Sequence, residues 1–328
     1  MINDAIIEKM LKYNDFDYNN KKYKYLGKGG DGIVYECNNK VVKLFTKDDI
    51  DSIIKEMYVT HMLKSIPNVS VNIILVDDYS FAFKYPLAIM EKLDNDLTYW
   101  INMMIKMPHG EMNDDDIDLN WTSMIFQLSH GLLFMNKYKI LHNDAKPKNI
   151  LYKENNAPSN IIEYAMNNKK YIIPCRYIFK ISDFGAIQIK KSKLNTMSNK
   201  EIENKIKTRD DLRELSRVFF RIYVDYGMKL YNYEYMKTLA KNDKLFGAHF
   251  YNESKKIDKQ LGNYNRHVKD KFIHRNLLYY AIENNYIDKN DIVKHFNLRI
   301  PSDDVMFILD NITNIDVDVY SLFDQFLS

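Results

Sequence analysis

Three residues of complementary chemistry stand close together in Leu141-His142-Asn143-Asp144-Ala145-Lys146-Pro147-Lys148-Asn149-Ile150-Leu151. Asp144, Lys146 and Asn149 fall at offsets of zero, two and five, and His142 precedes the Asp by two. A carboxylate can accept a proton from a hydroxyl, an ammonium can neutralise phosphate charge, and an amide oxygen can ligate Mg²⁺. Together these are the parts that phosphoryl transfer needs. A lone Asp in a loop is usually a cap or a turn residue, so the assignment rests on what accompanies it. Downstream, Lys180-Ile181-Ser182-Asp183-Phe184-Gly185 reads as a strand ending in a second carboxylate and a flexible Gly185. Upstream stand Gly27-x-Gly29-x-x-Gly32 and, on an alternating run, Lys43.

The elements that must position these groups follow from periodicity. Ile6, Ile7, Met10 and Leu11 have helical spacing, which predicts a short amphipathic helix within residues 2–13. Strand patterns flank the glycines, and Asn38-Asn39 marks a tight turn into Lys40-Val41-Val42-Lys43-Leu44-Phe45. Because strand rather than helix follows Gly32, the glycine spacing fits a phosphate-covering hairpin better than a dinucleotide fold. There a side chain would hold the backbone away from phosphate oxygens. Residues 50–64 read as a helix with Ile53, Met57 and Met62 or Leu63 on its apolar face, residues 71–79 and 85–93 as strands, and 96–105 as a short helix. Residues 106–120, with Asp114-Asp115-Asp116, read as a solvated polar connection. A long buried helix is expected over 121–139, and residues 212–328 read as helices separated by polar turns without an assignable motif or internal repeat.

Taken in order, these stretches resemble the protein-kinase superfamily, whose catalytic loop reads His-Arg-Asp-Leu-Lys-Pro-x-Asn and whose metal motif is Asp-Phe-Gly. The resemblance covers about residues 22–220. It implies an α+β, two-lobed fold: an N-terminal helical extension (1–21), a small antiparallel β lobe with one main helix (22–93), and a larger, mostly helical lobe (94–328). It also implies ATP and Mg²⁺ as cofactors. Asp144 would orient and deprotonate the acceptor hydroxyl, Lys146 would stabilise the transferring phosphoryl group, and Asn149 and Asp183 would hold Mg²⁺. Gly27, Gly29 and Gly32 would cover the phosphates. Lys43 would contact the α- and β-phosphates, paired with Glu56. The backbone of Glu91 to Leu93 would meet the adenine edge beside Met90, with Val34 and Val41 over the ring and Leu151 beneath it. His142 would be a packed structural residue, and Asp211 the anchor of the catalytic-loop backbone.

The departures are specific. Asp31 stands at the loop tip, where an aromatic residue is usual; Asn143 replaces the Arg and Ala145 the Leu; no Ala-Pro-Glu follows Gly185. Between Asn149 and Asp183 lie 33 residues, more than the family needs, which predicts a β-hairpin insertion about 153–178. The short path from Asp183 to Asp211 predicts a rebuilt activation segment. Without the Arg that binds an activation-loop phosphate, activation at Thr196 or Ser198 is not expected. An enlarged hairpin with a terse activation segment resembles the kinases of large cytoplasmic DNA viruses, including the poxvirus late kinase.

Composition narrows the function classes. Of 328 residues 46% are apolar, which describes a globular chain. A net charge of +3, from 47 basic and 44 acidic residues, indicates no nucleic-acid partner. Two cysteines cannot make a disulfide framework, though Cys37 and Cys175 could pair with each other. No apolar run approaches the roughly 18–20 residues of a membrane span, and the start lacks a signal-peptide pattern, so a cytoplasmic location is expected. The sequence names no oligomeric state. The leading reading is a Ser/Thr protein kinase acting on protein hydroxyls, since Lys146 lies where that class has its lysine. A kinase-fold phosphotransferase for small molecules and a partner-binding pseudokinase are the alternatives.

Overall fold

Alternation with a period of two organises the six strands found between Phe16 and Glu91. The computed structural model describes residues 4–29, 32–46, 50–80, 85–156, 160–166 and 169–324, so Asp31 lies outside the described residues. After helix α1 (Asp4–Met10) come strands β1 (Phe16–Tyr18), β2 (Lys21–Lys28), β3 (Gly32–Cys37) and β4 (Lys40–Phe45). Helix α2 (Ile50–Lys64) precedes β5 (Val76–Ser80) and β6 (Leu87–Glu91). The six strands form one antiparallel sheet in the order β1-β2-β3-β4-β6-β5. Left-handed asparagines at Asn19-Asn20 and Asn38-Asn39 make the reversals.

Successive side chains point to opposite faces of a strand. Ile33, Tyr35, Val42, Leu44 and Leu87 therefore share one face, which α1 closes with Ile6, Ile7 and Met10. The helical lead-in is only seven residues long. Phe16–Tyr18 is strand instead and joins the sheet, with Phe16 stacked on Tyr23 at 4.7 Å between ring centroids. On the other face Phe45, Val76 and Ala88 pack against Ile53 of α2. The same alternation puts Val34, Val41, Lys43 and Met90 on that second face.

The chain continues through β7 (Asn95–Asp96), α3 (Leu97–Ile105), α4 (Asp114–Lys137), β8 (Ile140–Leu141), β9 (Ile150–Glu154), β10 (Ile161–Met166), β11 (Lys169–Pro174), β12 (Tyr177–Ile181) and β13 (Gln188–Ile189). Helices α5 (Asn199–Lys207), α6 (Asp210–Leu230), α7 (Tyr233–Asn242), α8 (Lys244–Leu261), α9 (Arg266–Glu283), α10 (Lys289–Phe296) and α11 (Asp303–Asn311) complete it. Two compact units result. One comprises Met1–Asn102, Asn113–Leu215 and Pro301–Ser328, and the other Met103–Met112 and Ser216–Ile300. The second unit is helical, with Phe246, Ile273, Leu277 and Ile292 in its interior. The first holds the sheet and every candidate site residue. Among the described residues no helix is long and apolar enough to cross a membrane.

Helix α4 begins earlier than its apolar period suggests. Asn113 caps it by accepting the Asp116 N–H at 2.7 Å, so Asp114-Asp115-Asp116 is not a solvated loop but the first helical turn. Carboxylates are favourable there because the backbone N–H groups carry partial positive charge. Further along, a Cβ at Gly131 would come within 2.7 Å of the Ile181 side chain, so the glycine permits the close approach of α4 and β12.

Strand β9 pairs with β12 and with β7, while β10 and β11 make a separate two-stranded hairpin within the β9–β12 connection. That hairpin docks on α4: Tyr164 and Tyr171 lie 5.1 and 5.4 Å from Phe126 between ring centroids, and Tyr320 and Phe323 cover the same ring at 5.9 and 5.1 Å. Cys37 and Cys175 are both free and buried, and burial pushes the Cys175 thiol up to about 11.

Under the hairpin His130 is enclosed by Tyr164, with a ring separation of 4.6 Å, and its Nδ1 meets Ser70 Oγ at 3.0 Å. Burial pulls its imidazole down to about 4 from 6.5. The neutral ring therefore contributes stability that is complete above pH 6.5 and is lost as pH falls toward 4. The expected outcome is a thermal midpoint that declines across that window, corresponding to a free-energy loss on the order of 3 kcal/mol. In His130→Gln the decline should flatten, as calorimetry at stepped pH would read; an unaltered decline would put the acid sensitivity elsewhere.

Candidate functional site

The catalytic-loop candidates are brought together by hydrogen bonds among their own side chains and backbone. Asp144 Oδ2 accepts from Lys146 Nζ at 2.6 Å and from Asn149 Nδ2 at 2.8 Å. The same amide nitrogen reaches the Asp144 carbonyl at 3.0 Å. A short 3₁₀ turn, Pro147–Asn149, makes this possible: proline presets its first φ, and the Asn149 N–H closes on the Lys146 carbonyl at 2.8 Å. Asn149 is buried, whereas the Asp144 and Lys146 side chains are 35% and 47% exposed. The carboxylate is thus oriented from behind and accessible in front.

A buried carboxylate holds this loop. Asp211, in the first turn of α6, accepts the His142 N–H through Oδ2 and the Asn143 N–H through Oδ1, both at 2.8 Å. Burial pushes its carboxyl up; the nearby His142 and the two N–H groups act against that. Asn143 has a left-handed φ of 63°, a conformation that asparagine tolerates, and the two bonds fix the turn there. His142 is fully buried, its Nε2 lies 3.0 Å from the Ser182 carbonyl, and its ring meets Phe184 edge-on at 5.8 Å.

Ser182 links the two halves of the site. Its N–H and its Oγ–H both donate to the Asn149 carbonyl, each at 2.8 Å. The next residue, Asp183, has φ 64° and ψ 78°, a conformation that non-glycine residues hold only when their surroundings enforce it. Phe184 is buried, and its turn packs against α2. The Asp183 carboxylate makes no hydrogen bond or ion pair among the described residues. With the Asn149 amide nitrogen donating to Asp144, its Oδ1 is left as the free acceptor. One carboxylate and one amide oxygen fit Mg²⁺, a hard cation that takes oxygen ligands and completes its shell with water and phosphate.

On the sheet side, Lys43 Nζ stands 3.5 Å from Glu56 Oε2 of α2 and 4.5 Å from the Phe45 ring centroid. Both side chains are largely buried. A Cβ at Gly27 would meet nothing within 4 Å and one at Gly29 would only touch the Gly32 carbonyl oxygen at 4.0 Å, whereas a Cβ at Gly32 would lie 2.2 Å from the Leu44 carbonyl oxygen. Gly32 is therefore required by its strand neighbour, a reason that differs from clearance for phosphate. Val34, Val41, Met90 and Leu151 are half-buried and Leu93 is buried. Glu91 ends β6 opposite Lys40. Its carboxylate pairs with Lys180 of β12 and, at 3.3 Å, with Lys153 of β9. Sequence reasoning gave Glu91 a backbone role only, because its two lysine partners lie about 60 and 90 residues further along the chain.

The segment after Asp183 is tied down by side-chain amides, another feature the sequence reading missed. Gln188 is buried; its Oε1 accepts the Thr196 N–H at 3.0 Å, and its Nε2 donates to Thr196 Oγ1 at 3.1 Å. Asn195 Oδ1 accepts the Ile189 N–H at 2.9 Å, and Asn199 Oδ1 accepts the Lys191 N–H at 2.7 Å. Ser198 and Glu201 form a capping box at the start of α5. Lys205 of α5 donates to Asn143 Oδ1 at 3.2 Å, and Lys190 pairs with Glu203.

Comparison with known proteins agrees with this geometry. Residues 20–203, more than half of the chain, match the protein kinase domain. That span includes every residue from Gly27 to Asp183 discussed above and stops before Asp211. Similar curated proteins are mitogen-activated protein kinase 3 of Oryza sativa subsp. japonica, 29% identical over 143 residues, and cyclin-dependent kinase-like 4 of Mus musculus, 30% identical over 142 residues. Each alignment covers 40% of this chain, and the chain spans only 36% and 38% of those relatives. With an antiparallel sheet followed by a mostly helical part and a domain match over half its length, the chain belongs to the protein kinase family.

Proposed function

We propose that this chain is a Ser/Thr protein kinase that transfers the γ-phosphoryl group of ATP to protein hydroxyls. The observation that carries the reading is the shared carboxylate oxygen of Asp144, bonded by Lys146 and Asn149, together with the Ser182 clamp that sets Asp183 beside Asn149. Asp144 orients the acceptor hydroxyl and receives its proton. Lys146 stands against Asp144, where it can neutralise charge on the phosphoryl group in flight. Asn149 and Asp183 would hold Mg²⁺, which when bound neutralises phosphate oxygens and aligns them. Lys43, kept in place by Glu56, meets the α- and β-phosphates under Gly27, Gly29 and Gly32. Val34, Val41 and Leu151 enclose the adenine, and the Glu91 to Leu93 backbone reads its edge.

The contacts of the rebuilt segment support a site that forms without phosphorylation. Thr196 Oγ1 accepts from Gln188, and Ser198 is the cap of α5. Both hydroxyls already have structural partners, and Asn143 binds Lys205 in place of a phosphate-binding Arg. The docked β10–β11 hairpin and the short segment favour kinship with kinases of large cytoplasmic DNA viruses, hence action in a host cytoplasm or virion.

Two outcomes test this. Incubated with γ-labelled ATP, Mg²⁺ and a mixture of acidic and basic proteins, the chain should label Ser or Thr, and Asp144→Asn should lower the rate about 100-fold or more. Label on a small molecule would replace the protein-kinase reading with a small-molecule phosphotransferase; ATP binding without transfer would replace it with a pseudokinase. Asp211→Asn turns an acceptor into a donor facing an N–H. It should cost about 1–3 kcal/mol of stability and lower kcat about tenfold, read by thermal unfolding and initial rates. An Asp211→Asn protein with wild-type kcat would show that the loop does not depend on this anchor.

A further inference from the structure

The β10–β11 hairpin ends in a buried hydrogen-bond chain that leads to the metal-binding turn. Tyr164 Oη donates to Asn72 Oδ1 at 2.8 Å, and Asn72 is fully buried. Asn72 Nδ2 donates to Gln127 Oε1 of α4 at 3.0 Å and to the Phe179 carbonyl of β12 at 2.9 Å. The Asn72 carbonyl accepts the Ile181 N–H at 2.7 Å, and the Ile74 N–H returns to the Ile181 carbonyl at 2.9 Å. Gln127 completes the set: its Oε1 accepts the Phe179 N–H and its Nε2 donates to the Tyr177 carbonyl, both at 2.9 Å.

Strand β12 has β9 on one edge only. On its other edge these two side-chain amides and the Asn72–Ile74 backbone stand where a further strand would stand. They fix β12 along its length to Ile181, and Asp183 follows two residues later. The three hydrogen bonds of the Asn72 side chain engage both its oxygen and its nitrogen: Gln127 Oε1 and the Phe179 carbonyl set which way the amide faces, and the Tyr164 hydroxyl anchors the oxygen on its far side. If that amide turned, its oxygen would oppose the carbonyl oxygens of Gln127 and Phe179.

We propose that Tyr164 is a positioning residue for phosphoryl transfer: through Asn72 it holds β12 in the placement that presents Asp183 to Mg²⁺. The inserted hairpin thereby serves the reaction centre that its own ends flank. This rests on the reading of Asp183 as a Mg²⁺ ligand given above.

Tyr164→Phe in the full chain removes the hydroxyl and keeps the ring packed on Phe126 and His130. The Mg²⁺ concentration for half-maximal transfer should rise roughly five- to tenfold, while the KM for the protein acceptor should stay within about twofold. The Ile181 and Ile74 amides should exchange with solvent about tenfold faster. Tyr171→Phe removes a hydroxyl from the same hairpin away from Asn72 and should leave the Mg²⁺ requirement unchanged. A lower melting temperature in Tyr164→Phe with unchanged Mg²⁺ dependence and unchanged Ile181 exchange would overturn the proposal. So would an equal effect of Tyr171→Phe. If the wild-type chain transfers no phosphate, the kinase reading fails on its own. The Ile181 exchange rate and the Mg²⁺ dependence of ATP binding by calorimetry then decide the role of Tyr164 separately.

Discussion

A buried carboxylate accepting two backbone N–H groups is the constraint on which the site depends. Asp211 is almost wholly removed from water, and a charge so placed is tolerable only where hydrogen bonds replace its hydration. Its two partners are consecutive amides, His142 and Asn143, so satisfying the charge also dictates the local backbone. Asn143 is held in the left-handed region, and the chain leaves the turn with Asp144 facing Lys146 and Asn149. Removing the carboxylate would release the turn at Asn143 and the orientation of Asp144 together.

The same economy of polar side chains recurs twice. Gln188 and Asn195 bond backbone groups across the segment after Asp183, and Asn72 with Gln127 supplies the missing edge of β12. An amide side chain carries a donor and an acceptor on separate atoms, so it can stand in for a strand neighbour, which an acceptor-only carboxylate cannot do. Its charge does not change with pH or with phosphorylation. Side-chain amides and a capping box hold the geometry of the activation segment, with Lys205 bonded to Asn143.

The sequence was most legible where chemistry depends on local spacing. Asp144, Lys146 and Asn149 lie within one loop whose offsets are set by a 3₁₀ turn, and the structure gathers them as that spacing requires. Lys43 and Glu56 were legible through two periods, the strand alternation and the helical register, and the structure places them 3.5 Å apart. Illegible were polar residues whose purpose is tertiary. Asn72 sits among Val71, Ile73 and Ile74, and the run reads as a strand because nothing local reveals that its amide is needed by Phe179. Gln127 is hidden likewise in an apolar helix. The start of α4 was missed because an exposed acidic run reads as loop unless the cap at Asn113 is seen to make it a first helical turn. Phe16–Tyr18 was assigned to the N-terminal extension because its pairing with Tyr23 is not local to a helical reading.

The central claim is that folding assembles the reaction centre without a phosphate. The most direct measurement is the initial time course of γ-phosphate transfer by protein shown by mass spectrometry to carry no phosphate. Full velocity is expected from the first time point, with no further rise on preincubation with ATP and Mg²⁺. A lag that ends as phosphate accumulates on Thr196 or Ser198 would contradict it.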